Sequence, residues 1–583
     1  MKNFSKGVAS STLLQPTSVE DLTADVTSRL IDAASAYIPQ TTGRQSGRLT
    51  SPWWDETCGE AIRNRRHARR ALERRPTQAN LIEYKRCQAV ARNVILKRKR
   101  SYKREFLSKI TYTTPIGVAW RKIRLMRSRY VMPAYPLVDS GNLLHTTIAK
   151  ANLFCHTFQD SGQSGQIRAP ANLHNLIIGS WADGGDYNSP FTSEELIRAL
   201  SCMRMTSPGG DDIHNSFLKA LGPEHHESIL TLFNQSFQLG ILPTSWKEGV
   251  VLPILKPGKD PSLPSSYRPI TLLSCLGKLL ERLVAARLEY IVDRMKLLSS
   301  SQCGFRRQQS TLDVLISHIR TAQAASEVCL VVYIDLQGAF DKVWIDGVLY
   351  KLARAGLRGA MSRWLHAYLT SRSARVRVNG VLSDSLPLLA GVPQGAVLSP
   401  LLFNLMLMDV PQLAGIKVLL YANDITICCR GPTLDAAKSL VQRYLDEFHS
   451  YCSTWGFVVN IQKTVFQYFT VKRVKVSLLR YHHQAIAYRR QHKLLGMMLD
   501  APRLKWVPHL TYLRVDVMRR MDLLKHMASP NWGASSRFLR LFYCAFIRAK
   551  IDYGSILYGT ASSAQLKRLE ILQNACLRLI LGA

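Results

Sequence analysis

The sequence predicts an α+β fold centred on an antiparallel sheet backed by helices. Three observations carry this. Val418-Leu419-Leu420 and Ile425-Thr426-Ile427-Cys428-Cys429 are β-prone runs on either side of the polar tip Tyr421-Ala422-Asn423-Asp424, and together they read as a hairpin. Val328-Cys329-Leu330-Val331-Val332-Tyr333-Ile334 is a further strand, and it ends at Asp335. Leu434, Ala437, Leu440, Val441, Tyr444, Leu445, Phe448 and Cys452 fall at helical spacing, so a helix should lay its apolar stripe under the sheet and stop at Gly456.

At 583 residues the chain has room for several domains, and 46% hydrophobic content is enough for a sizeable core. Lys and Arg number 77 against 41 Asp and Glu, a formal charge of +36. That excess argues against a neutral metabolic enzyme and suits a polyanionic partner. A membrane surface is the competing partner for positive charge, but the chain shows no basic amphipathic helix with an aromatic face and no lipidation signal. No apolar run approaches the ~18–20 residues of a membrane span. Met1-Lys2-Asn3-Phe4-Ser5 lacks the apolar core of a signal peptide, so a cytoplasmic and nuclear protein is expected. The 12 cysteines stand singly apart from Cys428-Cys429, without zinc-ligand spacing, and read as reduced core thiols.

Residues 1–50 are Ser/Thr-rich and read as a linker or tail with one short helix, Val19 to Tyr37. Residues 51–190 form a basic extension. Arg63, Arg65, Arg66, Arg69, Arg70, Arg74 and Arg75 precede Pro76; Lys85, Arg86, Arg92, Lys97, Arg98, Lys99, Arg100, Lys103 and Arg104 follow it on a second helix. A charge run is usually a solvated face, but this density of one sign points to a phosphate-contacting surface, with Tyr102 and Phe106 able to stack on bases or to pack a core. Residues 130–190, with Gly162 and Gly165, read as a loose connector. Ser193 is the N-cap candidate for the helix that begins near Leu196. Val250–Leu255 and Tyr267–Leu273 are strands joined by a basic connector.

Asp335 and Asp424 both stand at strand ends and converge if their strands are neighbours. Two hard cations held by carboxylates about 3.5–4 Å apart form the clamp used for phosphoryl transfer. Three boxes then stand in order: Asp335-Leu336-Gln337-Gly338-Ala339-Phe340-Asp341, Gly391-Val392-Pro393-Gln394-Gly395 and Tyr421-Ala422-Asn423-Asp424. Together they resemble a reverse transcriptase of the non-LTR (LINE-type) retrotransposons, whose third box usually reads Tyr-Ala-Asp-Asp. Asn423 stands where that family has its first Asp.

The resemblance covers roughly residues 51–583. It implies a right-hand polymerase with an antiparallel palm sheet, fingers and a helical thumb. The fingers are expected at 191–325, the reverse transcriptase domain of fingers plus palm at 236–502, and the thumb-like region at 503–583. It implies RNA-directed DNA synthesis with two Mg2+ (or Mn2+) ions, an RNA template, a DNA primer and deoxynucleoside triphosphates. Asp335 and Asp424 would be the metal ligands. Catalysis would rest on Asp335, Asp424, the position of Asn423, and Lys463 as proton donor to pyrophosphate. Lys256, Arg268, Phe340 and Gln394 would bind the nucleotide, with Phe340 excluding a ribose 2′-hydroxyl. Arg306, Gly391 and Gly395 would meet nucleic acid, and Asp341 would be a salt-bridge partner rather than a third ligand. Lys493-Leu494-Leu495-Gly496 is similar to the primer-grip hairpin, with helical breaks beyond it at Trp532-Gly533 and Tyr553-Gly554. The chain is expected to be a fragment of a longer reading frame that lacks the upstream endonuclease and any ribonuclease H. The alternative reading is a catalytically impaired nucleic-acid-binding remnant, because the neutral Asn423 replaces an anionic ligand.

Overall fold

The computed structural model describes residues 4, 7, 8, 18–38, 53–108, 136–139, 142–162, 167, 169–299, 302–306, 310–474, 478–528 and 534–582. It divides into two units. One comprises Met1–Gln40, Met132–Arg490 and Ala501–Arg503; the other comprises Thr41–Val131, Gln491–Asp500 and Leu504–Ala583. No helix among the described residues is long and apolar enough to cross a membrane.

The strands, in chain order, are β1 (Leu137–Asp139), β2 (Asn142–Leu144), β3 (Glu248–Leu255), β4 (Tyr267–Leu272), β5 (Val328–Asp335), β6 (Arg372–Val378), β7 (Val381–Leu382), β8 (Leu386–Leu388), β9 (Ile416–Tyr421), β10 (Asp424–Gly431), β11 (Val465–Phe469), β12 (Leu479–Tyr481), β13 (Gln484–Tyr488), β14 (Gln491–Leu494) and β15 (Met497–Asp500). The first unit is built on a six-stranded sheet in the order β12-β13-β11-β5-β10-β9. β5 is buried over all but its last residue, as a continuous run of Val, Leu, Ile and Tyr requires when both faces are covered. Its pairings with β10 and β11 are antiparallel, and so is the β9–β10 hairpin. The exception to the expected pattern is β11–β13, which is parallel.

The helix Leu434–Trp455 behaves as its spacing predicts. Leu434, Ala437, Val441, Tyr444, Leu445, Phe448 and Cys452 are buried, Thr433 caps the start, and Gly456 ends it at φ +74°. The helix Val19–Tyr37 matches its expected bounds, yet it is no part of a loose tail. Val19, Val26 and Leu30 enter the main core, and Glu20 accepts hydrogen bonds from Thr244 N and Oγ1, both at 2.8 Å.

A second sheet, β4-β3-β6-β7 with β8 on β6, completes this unit. β3 and β4 form the expected antiparallel pair, from Val250↔Leu272 to Leu255↔Tyr267. The connector expected at 130–190 is in fact ordered over much of its length. The helix Thr147–Ser161 packs Ala151, Phe154 and Cys155 against Val251, Ala374, Val376 and Val378. One cap also differs from expectation. Thr192, not Ser193, is the N-cap, because its hydroxyl accepts from Glu195 N while the Glu195 carboxylate accepts from Thr192 N.

In the second unit, helices Glu56–Arg74 and Gln78–Ser108 form a hairpin, and among its described side chains the buried ones are small: Cys58, Ala61 and Ala68 on one helix, Ala91 on the other. Asp55 caps the first helix through Cys58 N and pairs with Arg98. Small inward residues let two helices this basic lie close while their long side chains stay in water. The β14–β15 hairpin turns at Leu495 and Gly496, both at positive φ, as a two-residue turn matched to strand twist requires. Helices Val507–Met527 and Ser563–Leu581 follow. Gly554, at φ +72°, provides the break expected there, whereas Trp532-Gly533 lies outside the described residues.

Candidate active site

The β9–β10 hairpin closes with Tyr421 opposite Asp424, so Ala422 and Asn423 are its two turn residues. Ala422 takes φ +52°, a conformation that Gly, Asn or Asp would adopt with less strain. The hairpin is buttressed from a distant part of the chain. Cys303 N and Gly304 N both donate to Leu420 O, at 2.9 and 3.1 Å. A Cβ on Gly304 would lie 2.5 Å from Ala422 N, so only glycine admits this approach. Asn404 Nδ2 donates to Gly304 O at 2.9 Å, and Gln302 Nε2 to Asn404 O at 3.0 Å. Sequence reasoning misses this brace because it joins segments 100 residues or more apart.

On the other side of β10, Asp424 stands directly opposite Asp335 in register. Side chains so paired have Cβ atoms roughly 4.5–5.5 Å apart. Burial, and then the Asp335 charge, raise the Asp424 pKa, while Lys463 pulls the other way. Lys463 Nζ donates to Asp335 Oδ2 at 3.0 Å. The Asp335 backbone is held as well, its N–H donating to Thr464 Oγ1 at 3.4 Å and its carbonyl accepting from Asn460 N at 2.8 Å. Among the described residues no group of three or more His, Cys, Asp or Glu gathers as a metal centre. The donors that do converge are two carboxylates, oxygen ligands of the kind a hard divalent cation takes, with the neutral Asn423 beside them.

The Gly391–Gly395 loop packs against this region by its backbone. Gly391, at φ +87°, places its Cα so that a Cβ would meet Asp341 O at 2.5 Å. Gly395 lies against Thr271 O, and Thr271 N donates to Gln394 O at 2.8 Å. Gln394 Nε2 donates to Asp341 Oδ1 at 2.8 Å. An amide therefore takes the place expected of a cation in a salt bridge, and burial raises the Asp341 pKa.

Lys256 follows β3 and gives Nζ to Ser265 O at 2.9 Å. Its pKa is lowered by burial first, then by the charges of Arg268 and Lys463, with Asp341 opposing. Those four side chains thus share one electrostatic neighbourhood. Arg306 is half-buried and turned toward its own fold, with Nη1 on Ser299 O at 3.2 Å and Nη2 3.6 Å from Asp293. Phe340 stacks on Phe403 at 5.0 Å between ring centroids.

Glu281 is a residue that sequence patterns do not single out. It is 5% exposed, and its Oε2 accepts from Val397 N at 2.7 Å and from Leu398 N at 3.4 Å. Those N–H groups open the helix Ser399–Met406, so Glu281 pins the end of the glycine loop to the helix Cys275–Arg294. Its only sequence signal is a carboxylate set in an apolar helical stripe.

Residues 254–499 match the family described as reverse transcriptase (RNA-dependent DNA polymerase). The chain is 30% identical over 547 residues to a probable RNA-directed DNA polymerase from transposon BS of Drosophila melanogaster, covering 89% of this chain and 59% of that protein. It is also 30% identical to the X-element polymerase and 29% identical to the jockey polymerase of the same species, over 79% and 68% of this chain and 52% and 44% of theirs. The chain belongs to the reverse transcriptases of non-LTR retrotransposons. It spans 44–59% of these relatives' lengths. Two solved telomerase structures from Candida tropicalis align at TM-scores of 0.31 and 0.33 with 14% and 10% identity, covering 45% and 62% of this chain and 55% and 68% of theirs. The reverse transcriptase match runs from β3 into β15 and takes in Lys256, Arg268, Glu281, Asp335, Gln394, Asp424 and Lys463.

Proposed function

We propose that this reverse transcriptase extends a DNA primer on an RNA template, the primer 3′-hydroxyl attacking the α-phosphate of a deoxynucleoside triphosphate. The observation that carries the reading is the register of Asp335 against Asp424, two carboxylates at paired strand ends beside Lys463. In this reading the six-stranded sheet is the palm, β3 and β4 belong to fingers at 191–325 within a polymerase domain at 236–502, and the helices of 503–583 are the thumb of a right-hand polymerase. Two Mg2+ or Mn2+ ions held by Asp335 and Asp424 would supply the charge that activates the primer hydroxyl and receives the leaving pyrophosphate.

The chain's own side chains do the rest. Lys256 and Arg268 grip the triphosphate oxygens, for which a guanidinium fork is well suited. Lys463 hands a proton to the departing pyrophosphate. Gln394, oriented by Asp341, lies against the incoming nucleotide, and Phe340 blocks a 2′-hydroxyl. Gly391 and Gly395 keep the loop backbone slim where nucleic acid passes, and Arg306 contributes charge to the template side. Primer extension on an RNA template, compared between the Asn423→Asp variant and the same variant carrying Asp335→Ala, tests the reading. Extension that survives Asp335→Ala would refute it. One observation favours a second reading, a nucleic-acid-binding remnant with impaired chemistry: Asn423 occupies the turn with an amide where its family carries a carboxylate.

Either reading requires a phosphate-binding surface, and the Glu56–Ser108 segment offers one with 16 Lys and Arg against 5 Glu. Arg66, Arg70, Lys97 and Arg100 are exposed there. Changing all four to Gln is expected to weaken binding to RNA and to flatten the logarithmic salt dependence by about 0.7–0.9 for each phosphate that is no longer neutralised. A salt titration of binding measures it. An unchanged slope would make the hairpin a solvated face and nothing more.

A further inference from the structure

We propose that Phe305 is a positioning residue for sugar discrimination, holding the Phe340 ring in place. The inference rests on the polymerase reading above and adds to it a residue from outside the three boxes. Phe305 takes φ +59°, an uncommon and strained conformation for a bulky side chain, and is 57% exposed. A ring that contributes so little to the core gives the fold small reason to keep that strain. Its neighbour explains it better. Phe305 meets Phe340 edge-on, centroids 6.5 Å apart at 78°, and Phe340 in turn stacks on Phe403, which is 0% exposed. Edge-to-face and offset-stacked pairs are the favoured aromatic geometries. Phe340 is therefore held between a ring fixed in the core and a ring presented from a turn.

The turn itself cannot drift. Cys303 N and Gly304 N bond to Leu420 O, Gly304 O accepts from Asn404 Nδ2, and Arg306 N donates to Cys303 O at 3.4 Å. The clamp that seats the hairpin bearing Asp424 thus also sets the Phe305 ring. The position of the discriminating ring and the position of the carboxylate share one mechanical reference. A steric filter works only if its wall is stiff, since a ring free to turn away would admit the extra hydroxyl.

The test exploits the strain. Phe305→Gly removes the ring and relieves the positive φ, so the melting temperature should not fall. Phe305→Tyr keeps the ring. The readout is stabilisation of the full chain's complex with an RNA template and a DNA primer that lacks its 3′-hydroxyl by the next complementary nucleotide, deoxy against ribo, in Mn2+. It is run on the unaltered chain and in the Asn423→Asp background. Phe305→Gly is expected to reduce the deoxynucleotide preference by about tenfold through tighter ribonucleotide binding. Phe340→Ala should reduce it at least as much, and Phe305→Tyr should keep it. If Phe340→Ala moves the preference and Phe305→Gly does not, the proposal is overturned while the role of Phe340 stands. If neither moves it, or if no nucleotide stabilises the complex, the underlying reading fails and the proposal fails with it.

Discussion

The Asn423→Asp variant is expected to extend a DNA primer on an RNA template in Mg2+ about a hundredfold faster than the unaltered chain, the scale on which one preorganised electrostatic group contributes to a rate. The argument is charge. Asp335 and Asp424 face each other across β5 and β10, and the second turn residue beside them is an amide. An amide oxygen is a weaker partner than a carboxylate for a hard cation. Asp424 cannot take over that role, because it already supplies one of the two paired carboxylates, while Asn423 stands in the turn one residue before it.

The same substitution makes a second, independent prediction. Asp424 already titrates above its ordinary range through burial and the Asp335 charge, so a third carboxylate adds repulsion. Without divalent ions the variant should therefore melt lower than the unaltered chain, and Mn2+ should raise its melting temperature more. Asp335→Ala added to Asn423→Asp should abolish both the extension and the metal-dependent shift. Strong Mg2+-dependent extension by the unaltered chain would sink the prediction. A variant that gains metal stabilisation without extension would place the defect elsewhere in the chain.

The parts of this site that are legible in the sequence are those encoded locally. β5 announces itself as an unbroken apolar run ending in Asp335, and the hairpin as two apolar runs around a polar tip. The Leu434–Trp455 helix shows its stripe at helical spacing. What stays hidden depends on pairing across long separations. Nothing near Gly304 says that it must fit against Ala422 N, and nothing near Gln394 says that its partner is Asp341. The helix Thr147–Ser161 reads as connector because the Gly- and Ser-rich stretch around Gly162 and Gly165 follows it, although Ala151, Phe154, Cys155 and Phe158 share a face. β6 escapes notice because it begins with Arg372, buried at 4% exposure, and carries two further arginines. Phe340 draws its role from resemblance alone; the rings that fix it, Phe305 and Phe403, come from segments whose approach only the fold reveals.

Lys351→Ala is expected to destabilise the unit that holds the six-stranded sheet by about 2–5 kcal/mol, the range for truncating a long buried side chain to Ala and leaving a cavity. Lys351 lies in the helix Ile345–Arg354 and is 1% exposed. Its ammonium donates to Met406 O at 2.6 Å and to Tyr451 Oη at 3.2 Å, pairs with Asp409, and sits 3.8 Å from the centroid of the Trp455 ring. One cation thus ties three helices together, at the end of the Ser399–Met406 helix where exposed carbonyls favour positive charge. Burial lowers the Lys351 pKa to about 8 against the Asp409 charge, from an ordinary 10.5. The sign follows. In the fold the charged form is disfavoured, so its cost is fully present below about pH 8 and fades as the pH rises toward 10.5. Lys351→Met keeps the volume but does not titrate at this position. Across that interval the unaltered chain should gain about 3 kcal/mol relative to Lys351→Met, at 1.36 kcal/mol per pH unit. Denaturant unfolding of both proteins at several pH values measures the difference. A difference that stays flat with pH would mean that Asp409 and the Met406 carbonyl compensate the burial of Lys351 in full, and the ammonium would then be an ordinary structural cation with no pH signature.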